Sequence, residues 1–309
     1  MRVLVTGGAG YIGTQLVDAL CRAGHTVRVL DLRPPDPKRP GVDYVVSSMA
    51  DPDAVARAMQ GMEAVYYLAW RFLSEASQPE FQPEVERREI QENLFGTLNL
   101  LEAALAARVR QFVFASSAVV YGPTGPEKVD EEHPCHPESS TIGGPVYGIT
   151  KLACEKYCLA YYRRGLPVTI LRIHGVLSEG NLGQFEAMIE QALAGRPVQA
   201  FREAGGQYAH IDDVLKASLL VLDDSSACGE VFNLAGTHTY RDLELARFIV
   251  DTAGSKTDLA LIDEPGQAMI SVSVGKLCEL LGHQPTKEEF LPGLIRQAIE
   301  KLRDSGKPA

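Results

Sequence analysis

Tyr147-Gly148-Ile149-Thr150-Lys151 sets a phenol and an ammonium four residues apart. On a helix that spacing puts both side chains on one face, so they can share one pocket. Of the eleven tyrosines, only Tyr147 has a lysine four residues later. A free phenol, with a pKa of about 10, is a poor base near neutrality. Lowering it by ~3 units takes ~4 kcal/mol of preferential stabilisation of the phenolate. A neighbouring ammonium and a second positive group in the same pocket can supply that. Tyr147 can then take the proton of a secondary alcohol while a hydride leaves its carbon. Ser117, in Ser116-Ser117-Ala118-Val119-Val120-Tyr121-Gly122, offers a hydroxyl to orient the reacting oxygen.

A hydride needs an acceptor, and the amino-terminal residues are built to hold one. Gly8-x-Gly10-x-x-Gly13 lies between the β-branched run Arg2–Thr6 and the helical apolar spacing of Tyr11–Ala23. Gly7, Gly10 and Gly13 also form a G-x-x-G-x-x-G pattern. Glycine is needed where the turn is tight and where backbone must approach a pyrophosphate, and the helix after it offers its N-terminal amides. Asp31 ends the second strand, 18 residues past Gly13, where a carboxylate accepts the hydroxyls of an adenosine ribose. That carboxylate would repel a 2′-phosphate and so favours NAD over NADP. Arg33, two residues on, is of a type able to hold such a phosphate.

These residues need a sheet to position them. Strand-like runs at 2–6, 26–31, 42–46, 64–68, 111–116 and 168–172 alternate with helical stretches, including Glu84–Ala107 and Tyr147–Arg163. Alternation of this kind implies a parallel sheet covered on both faces. After Arg172 the rhythm loosens into helices at 184–194, 213–222, 241–253 and 273–281, with one more strand at 231–234. Thr286 with Glu289 reads as a capping box for a last helix. The expected fold class is α/β: a Rossmann-type, doubly wound parallel sheet with a smaller, mostly helical C-terminal substrate lobe. Residues 1–173 plus 207–237 are expected to form the dinucleotide-binding domain, and 174–206 plus 238–309 the lobe.

Composition narrows the partners. The 309 residues carry 30 Lys+Arg against 40 Asp+Glu, a formal charge of −10, which disfavours nucleic acid. At 45% hydrophobic and 23% charged residues, disordered, collagenous and membrane classes are excluded. Six cysteines scattered from position 21 to 278 form no disulfide framework, the chain opens directly on a strand-like run, and no stretch of 18 apolar residues occurs. The expectation is a cytoplasmic protein without membrane contact. Cys154 and Cys158, and the group His133, Cys135 and His136, read as packing and loop residues, so no metal is expected. The charge-rich run Glu84–Glu92 reads as a solvated helix face.

TGGAGYIG, Asp31, SSAVVYG and YGITK, in this order, resemble an extended short-chain dehydrogenase/reductase of the NAD-dependent epimerase/dehydratase family, of the UDP-glucose 4-epimerase type. Asn93-Leu94-Phe95-Gly96-Thr97-Leu98-Asn99-Leu100-Leu101-Glu102-Ala103, Leu171-Arg172 and His210-Ile211-Asp212-Asp213 are similar to later landmarks of that family. The resemblance implies NAD as cofactor, Tyr147 as acid/base, Lys151 on the nicotinamide ribose while tuning Tyr147, and Ser117 as the third catalytic residue. It also implies that Tyr11 and Ile12 present backbone to the pyrophosphate, and that Ser48 and Met49 stand beside the adenine. Leu68, Ala69 and Trp70 would follow the fourth strand near the cofactor, with Asn93 behind the site and His174 near the nicotinamide. A homodimer is implied, built on the Glu84–Ala107 and Tyr147 helices.

The expected reaction is epimerisation of a sugar or nucleotide-sugar through a keto intermediate. The residues after Ser117 are Ala118 and Val119, without the acid that dehydratases and decarboxylases of the family carry there. Family epimerases usually place Asn after the sixth strand and Arg before the Tyr-x-His segment, both for a diphosphate; here those positions are Gly175 and Gly206. That keeps open a net dehydrogenase of a non-nucleotide sugar or polyol. A dinucleotide-sensing protein without catalysis is the remaining alternative, and its mark would be a broken Ser/Tyr/Lys set.

Overall fold

The computed structural model describes residues 1–71, 83–140, 146–263, 269–285 and 290–304. The expected capping box at Thr286 and Glu289 lies outside them. The chain opens with β1 (Arg2–Thr6), α1 (Tyr11–Arg22), β2 (Thr26–Asp31), β3 (Asp43–Val46), α2 (Pro52–Met59) and β4 (Ala64–Tyr67). Then come α3 (Pro83–Ile90), a π-helical turn at Gln91–Phe95, α4 (Gly96–Ala107), β5 (Gln111–Ser117), α5 (Tyr147–Tyr162) and β6 (Val168–Ile173). The later connections carry β7 (Val176–Leu177), α6 (Gln184–Leu193), β8 (Val198–Phe201), β9 (Gly205–Gly206), β10 (Ala209–His210) and α7 (Ile211–Asp223). They end in β11 (Val231–Leu234), β12 (Tyr240–Arg241), α8 (Asp242–Thr252), β13 (Leu259–Ile262), α9 (Gly275–Leu281) and α10 (Phe290–Asp304).

Seven strands form one parallel sheet in the order β11-β6-β5-β4-β1-β2-β3. Strands β4, β5 and β6 are buried at every residue, which is why they read as near-continuous apolar runs rather than alternating ones. One face of the sheet packs on α1, α7 and α9, through Leu16, Leu20, Val214, Val221, Leu277 and Leu281. The other packs on α2, α4 and α5, through Val55, Leu100, Leu101, Cys154 and Cys158. The chain passes from β3 back across β1 to β4, so the strand order reverses there. A crevice therefore opens beyond the carboxyl ends of β1 and β4, the general ligand position in such sheets.

A separate apolar cluster joins α6, β8, α8 and α10 through Phe185, Ile189, Val198, Ile249, Leu291 and Ile295. This lobe contains more strand than its sequence suggests: β8 pairs with β13, β7 with β10 and β9 with β12. Two-residue strands have no periodicity to read. The expected single helix over 84–107 is three pieces, and its central π turn holds Asn93 buried. Glu89, on the run read as a solvated face, is also buried.

Candidate active site

The first wall of the crevice is the turn between β1 and α1. Gly7 stands at φ +72°, and a Cβ there would lie 2.6 Å from the Ala69 backbone. A Cβ on Gly13 would collide with the Gly7 carbonyl. Both positions therefore require glycine. Gly10 caps α1 without any side-chain hydrogen bond, leaving the first amides of the helix facing the crevice. Tyr11, the first residue of α1, donates its hydroxyl hydrogen to Ser178 Oγ at 2.6 Å and so ties the glycine turn to the loop after β7. Asp31 is aimed by two backbone donors: Ala9 N–H reaches Oδ2 at 2.9 Å and Arg33 N–H reaches Oδ1 at 3.4 Å.

The second wall is the segment after β4. The Asn93 amide accepts from Arg71 N–H at 2.8 Å and donates to the Arg71 carbonyl at 2.9 Å. That clamp fixes where Leu68, Ala69 and Trp70 run. Ser48 donates to Glu92 Oε2 at 2.8 Å, and Asn99 donates to the Met49 carbonyl at 2.9 Å, so the turn after β3 is pinned by the π turn and α4. A π turn near a site is a recurrent device for aiming one side chain.

The third wall carries the reactive groups. Ser117 caps a short 3₁₀ turn over Ala118–Tyr121, and its Oγ accepts from Val119 N–H at 3.3 Å. Its own hydrogen is thereby left for another acceptor. Ser117 and Tyr147 line the same crevice. Burial pushes the Tyr147 phenol above its ordinary pKa, and the Ser117 hydroxyl works against that rise. Lys151 is buried and donates to the Ala115 carbonyl at 2.7 Å; burial pulls its ammonium down to about 7. Its Nζ lies 6.0 Å from the Tyr147 ring centre, close enough to act through charge without a direct hydrogen bond. Beneath the pair, Glu155 accepts from Ser116 at 2.5 Å and from Arg172 at 2.8 Å, bolting α5 to β5 and β6.

The three walls enclose about 550 Å³, lined by Gly7, Gly10, Tyr11, Ile12, Gly13, Asp31, Arg33, Ser48, Met49, Leu68, Ala69, Trp70, Asn93, Ser117, Tyr147 and Lys151. Residues 3–235 match the model of the NAD dependent epimerase/dehydratase family. The chain belongs to this family. It is an extended short-chain dehydrogenase/reductase, as its motifs imply, and the family is NAD-dependent. The uncharacterized protein y4nG of Sinorhizobium fredii is 30% identical over 244 residues, 77% of this chain; the match spans only 54% of that relative's length. A 3 beta-hydroxysteroid dehydrogenase/Delta 5→4-isomerase of Mycobacterium tuberculosis is 28% identical over 273 residues, 85% of this chain and 72% of the relative. The solved UDP-glucose 4-epimerase of Thermus thermophilus, in complex with NAD, is 27% identical with a TM-score of 0.80, covering 98% of this chain and 99% of that one.

The crevice fits the family's dinucleotide on this chain's own geometry. The open amides at the start of α1 suit a pyrophosphate, and the oriented carboxylate of Asp31 suits a ribose diol. His174 follows Ile173 and precedes Gly175, both of which line the crevice. It does not line the crevice; its ring stacks on Tyr208 at 6.2 Å, Nδ1 is buried without a hydrogen-bond partner, and burial pulls its pKa down to about 4. The space beside Gly175 is taken by Tyr208, 2.6 Å from where a Cβ would be, and that beside Gly206 by His174, 2.7 Å away. Glu92 and Arg71 also line the crevice and were not expected there from sequence. Glu92 ends a charge-rich run whose pattern hides which carboxylate turns inward. Among the described residues no group of three or more His, Cys, Asp or Glu is arranged to hold a metal, and no helix is long and apolar enough to cross a membrane.

Proposed function

We propose that this protein oxidises a secondary alcohol of a sugar or nucleotide-sugar to a ketone and reduces it again on the opposite face, an epimerisation. The observation that carries this reading is that Ser117, Tyr147 and Lys151 line one crevice with Asp31 and the glycine turn. Bound there, NAD supplies the hydride acceptor and donor. In this reading Ser117, held by Val119 N–H, gives its hydrogen to the substrate oxygen once the alcohol is bound. Tyr147 takes the alcohol proton as the carbon–hydrogen bond breaks and returns it on reduction. Lys151 keeps positive charge near the phenol and lowers the cost of its ionised form.

A second reading is net dehydrogenation of a non-nucleotide sugar or polyol. It is favoured by Gly175 and Gly206, whose flanks are filled by Tyr208 and His174 instead of diphosphate-binding side chains. One set of measurements separates the two. The purified protein is denatured and assayed for released NAD, then offered UDP-hexoses and simple sugars and polyols with free NAD⁺. Epimerisation predicts retained NAD and interconverted UDP-hexoses. Growth of the reduced-nicotinamide band with a free polyol supports dehydrogenation. No turnover with any of them, with NAD binding intact in Tyr147→Phe, makes the protein a dinucleotide sensor.

A further inference from the structure

Lys151 is buried to 4% exposure, yet among the described residues its ammonium has a single oxygen partner, the Ala115 carbonyl. A buried cation with one neutral acceptor is poorly compensated. Glu155, one turn along α5, is the nearest candidate counter-charge in sequence, but both its oxygens are engaged by Arg172 and Ser116. Among the described residues no carboxylate forms an ion pair with Lys151. What faces it instead is aromatic. Nζ stands 3.8 Å above the Trp70 ring centre and 4.9 Å from that of Phe114. The same indole meets the Tyr147 ring edge-on, 5.7 Å away at 84°. Trp70 thus touches both members of the proton-transfer pair. Its place is fixed from behind, because Asn93 clamps the next residue, Arg71, by its backbone.

The indole face is the best aromatic partner for a cation, and the attraction strengthens when water is excluded. We propose that Trp70 is a positioning residue whose indole face holds the Lys151 ammonium, protonated, beside the Tyr147 phenol. This rests on the reading of Tyr147 and Lys151 as the proton-transfer pair. Other ionisable groups near Lys151 lie mostly on its own helix: Tyr147, Cys154, Glu155 and Cys158. From β4 the Tyr67 hydroxyl turns to Asn93 and Thr97, from α4 Thr97 bonds Cys154, and from β6 Arg172 is held by Glu155. Beyond Glu155, which Arg172 already neutralises, none of these carries a charge that can take the place of the indole.

Trp70 is the chain's only tryptophan, so its emission reports this contact directly. The full chain is titrated with pH while its fluorescence is followed, and Lys151→Met is titrated beside it. The wild type is expected to show an emission transition that Lys151→Met lacks. The Lys151 titration is then read by NMR on ε-¹³C-labelled lysine in wild type, Trp70→Phe and Trp70→Leu. Loss of the ring in Trp70→Leu is expected to raise the acid constant of Lys151 at least roughly tenfold, with Trp70→Phe between the two. Thermal melts of both variants check folding, and Trp70→Phe, which keeps a ring, carries the comparison should Trp70→Leu not fold. An emission transition that survives in Lys151→Met overturns the proposal. So does a Lys151 midpoint that ignores the side chain at position 70. Neither readout needs a substrate, so a failure to find any turned-over alcohol sinks the catalytic reading while leaving this contact testable.

Discussion

Asp31 shows how much one side chain can decide. Its carboxylate is aimed by Ala9 and Arg33 N–H, at 2.9 and 3.4 Å, and keeps lone pairs free for a diol. Hydrogen bonds to a charged group are worth about 1.5–3 kcal/mol, so Asp31→Ala is expected to weaken NAD binding about 10- to 100-fold. The same change removes the charge that repels a 2′-phosphate while Arg33 still lines the crevice, so the preference for NAD over NADP should narrow or reverse. Calorimetry with both dinucleotides measures it, and unchanged NAD affinity would remove Asp31 from the cofactor site. Tyr147→Phe is expected to cut turnover about 10²–10⁴-fold while leaving that affinity intact, in a single-turnover assay with whichever alcohol proves active. These residues were legible because type and spacing together are restrictive: a phenol four before a lysine, a glycine turn with an acid after the second strand. Arg71 and Glu92 were not: Glu92 ends a charge-rich run in which nothing says which charge turns inward, and Arg71 reaches the crevice only because the Asn93 side chain clamps its backbone. The surroundings of His174 were not legible either, because its ring stacks on Tyr208, which reaches it only through the fold.

Elements were legible in proportion to their length. Strands buried on both faces and helices of three or four turns announce themselves by composition and period, whereas the π turn at Gln91–Phe95 and the two-residue strands of the lobe do not. The element with the most distinctive titration is the start of α8. Asp242 is buried in its first turn, and burial pushes its carboxyl up to about 6 against a hydrogen bond from Gln184. A carboxyl whose folded pKa is raised favours the protonated form. Its contribution to stability is therefore full below the unfolded value near 4, is lost as pH rises through about 6, and leaves a cost on the order of 2–3 kcal/mol above that. Asp242→Asn is neutral at every pH and can keep the Gln184 contact. It is expected to raise the melting temperature at pH 7.5 and to do little at pH 4. Equal effects at both pH values would mean that the site is not titrating as its burial implies. The bolt beneath the active site behaves differently, because Glu155 and Arg172 are a buried pair. Glu155→Gln strands the guanidinium and is expected to destabilise the fold by about 3–5 kcal/mol in denaturant unfolding.

At the scale of the whole molecule, the sheet separates two apolar layers, and the layer carrying α4 and α5 is incompletely covered. Those helices lie side by side over Phe112, Phe114 and Ile170, and their outer faces keep large apolar side chains in solvent. Phe95 is 56% exposed, Ile149 46% and Tyr157 41%. Ile149 and Tyr157 are eight residues apart on α5 and so share a face. Grouped exposure of this kind is uncommon on a monomer and marks an interaction surface. A second copy related by a two-fold axis would cover it with the same patch, since such interfaces are self-complementary. The formal charge of −10 opposes association in general, so pairing has to be carried by this apolar face. The protein is therefore expected to sediment as a dimer at micromolar concentration, and Phe95→Glu combined with Tyr157→Glu to sediment as a monomer. Neither residue lines the crevice, so the double variant should still take up NAD. A monomeric wild type, or a double variant that stays dimeric, would show that the exposed face serves some other contact. A monomeric variant that also loses NAD would mean that pairing of α4 and α5 holds Asn93 and Lys151 in place, coupling assembly to the site.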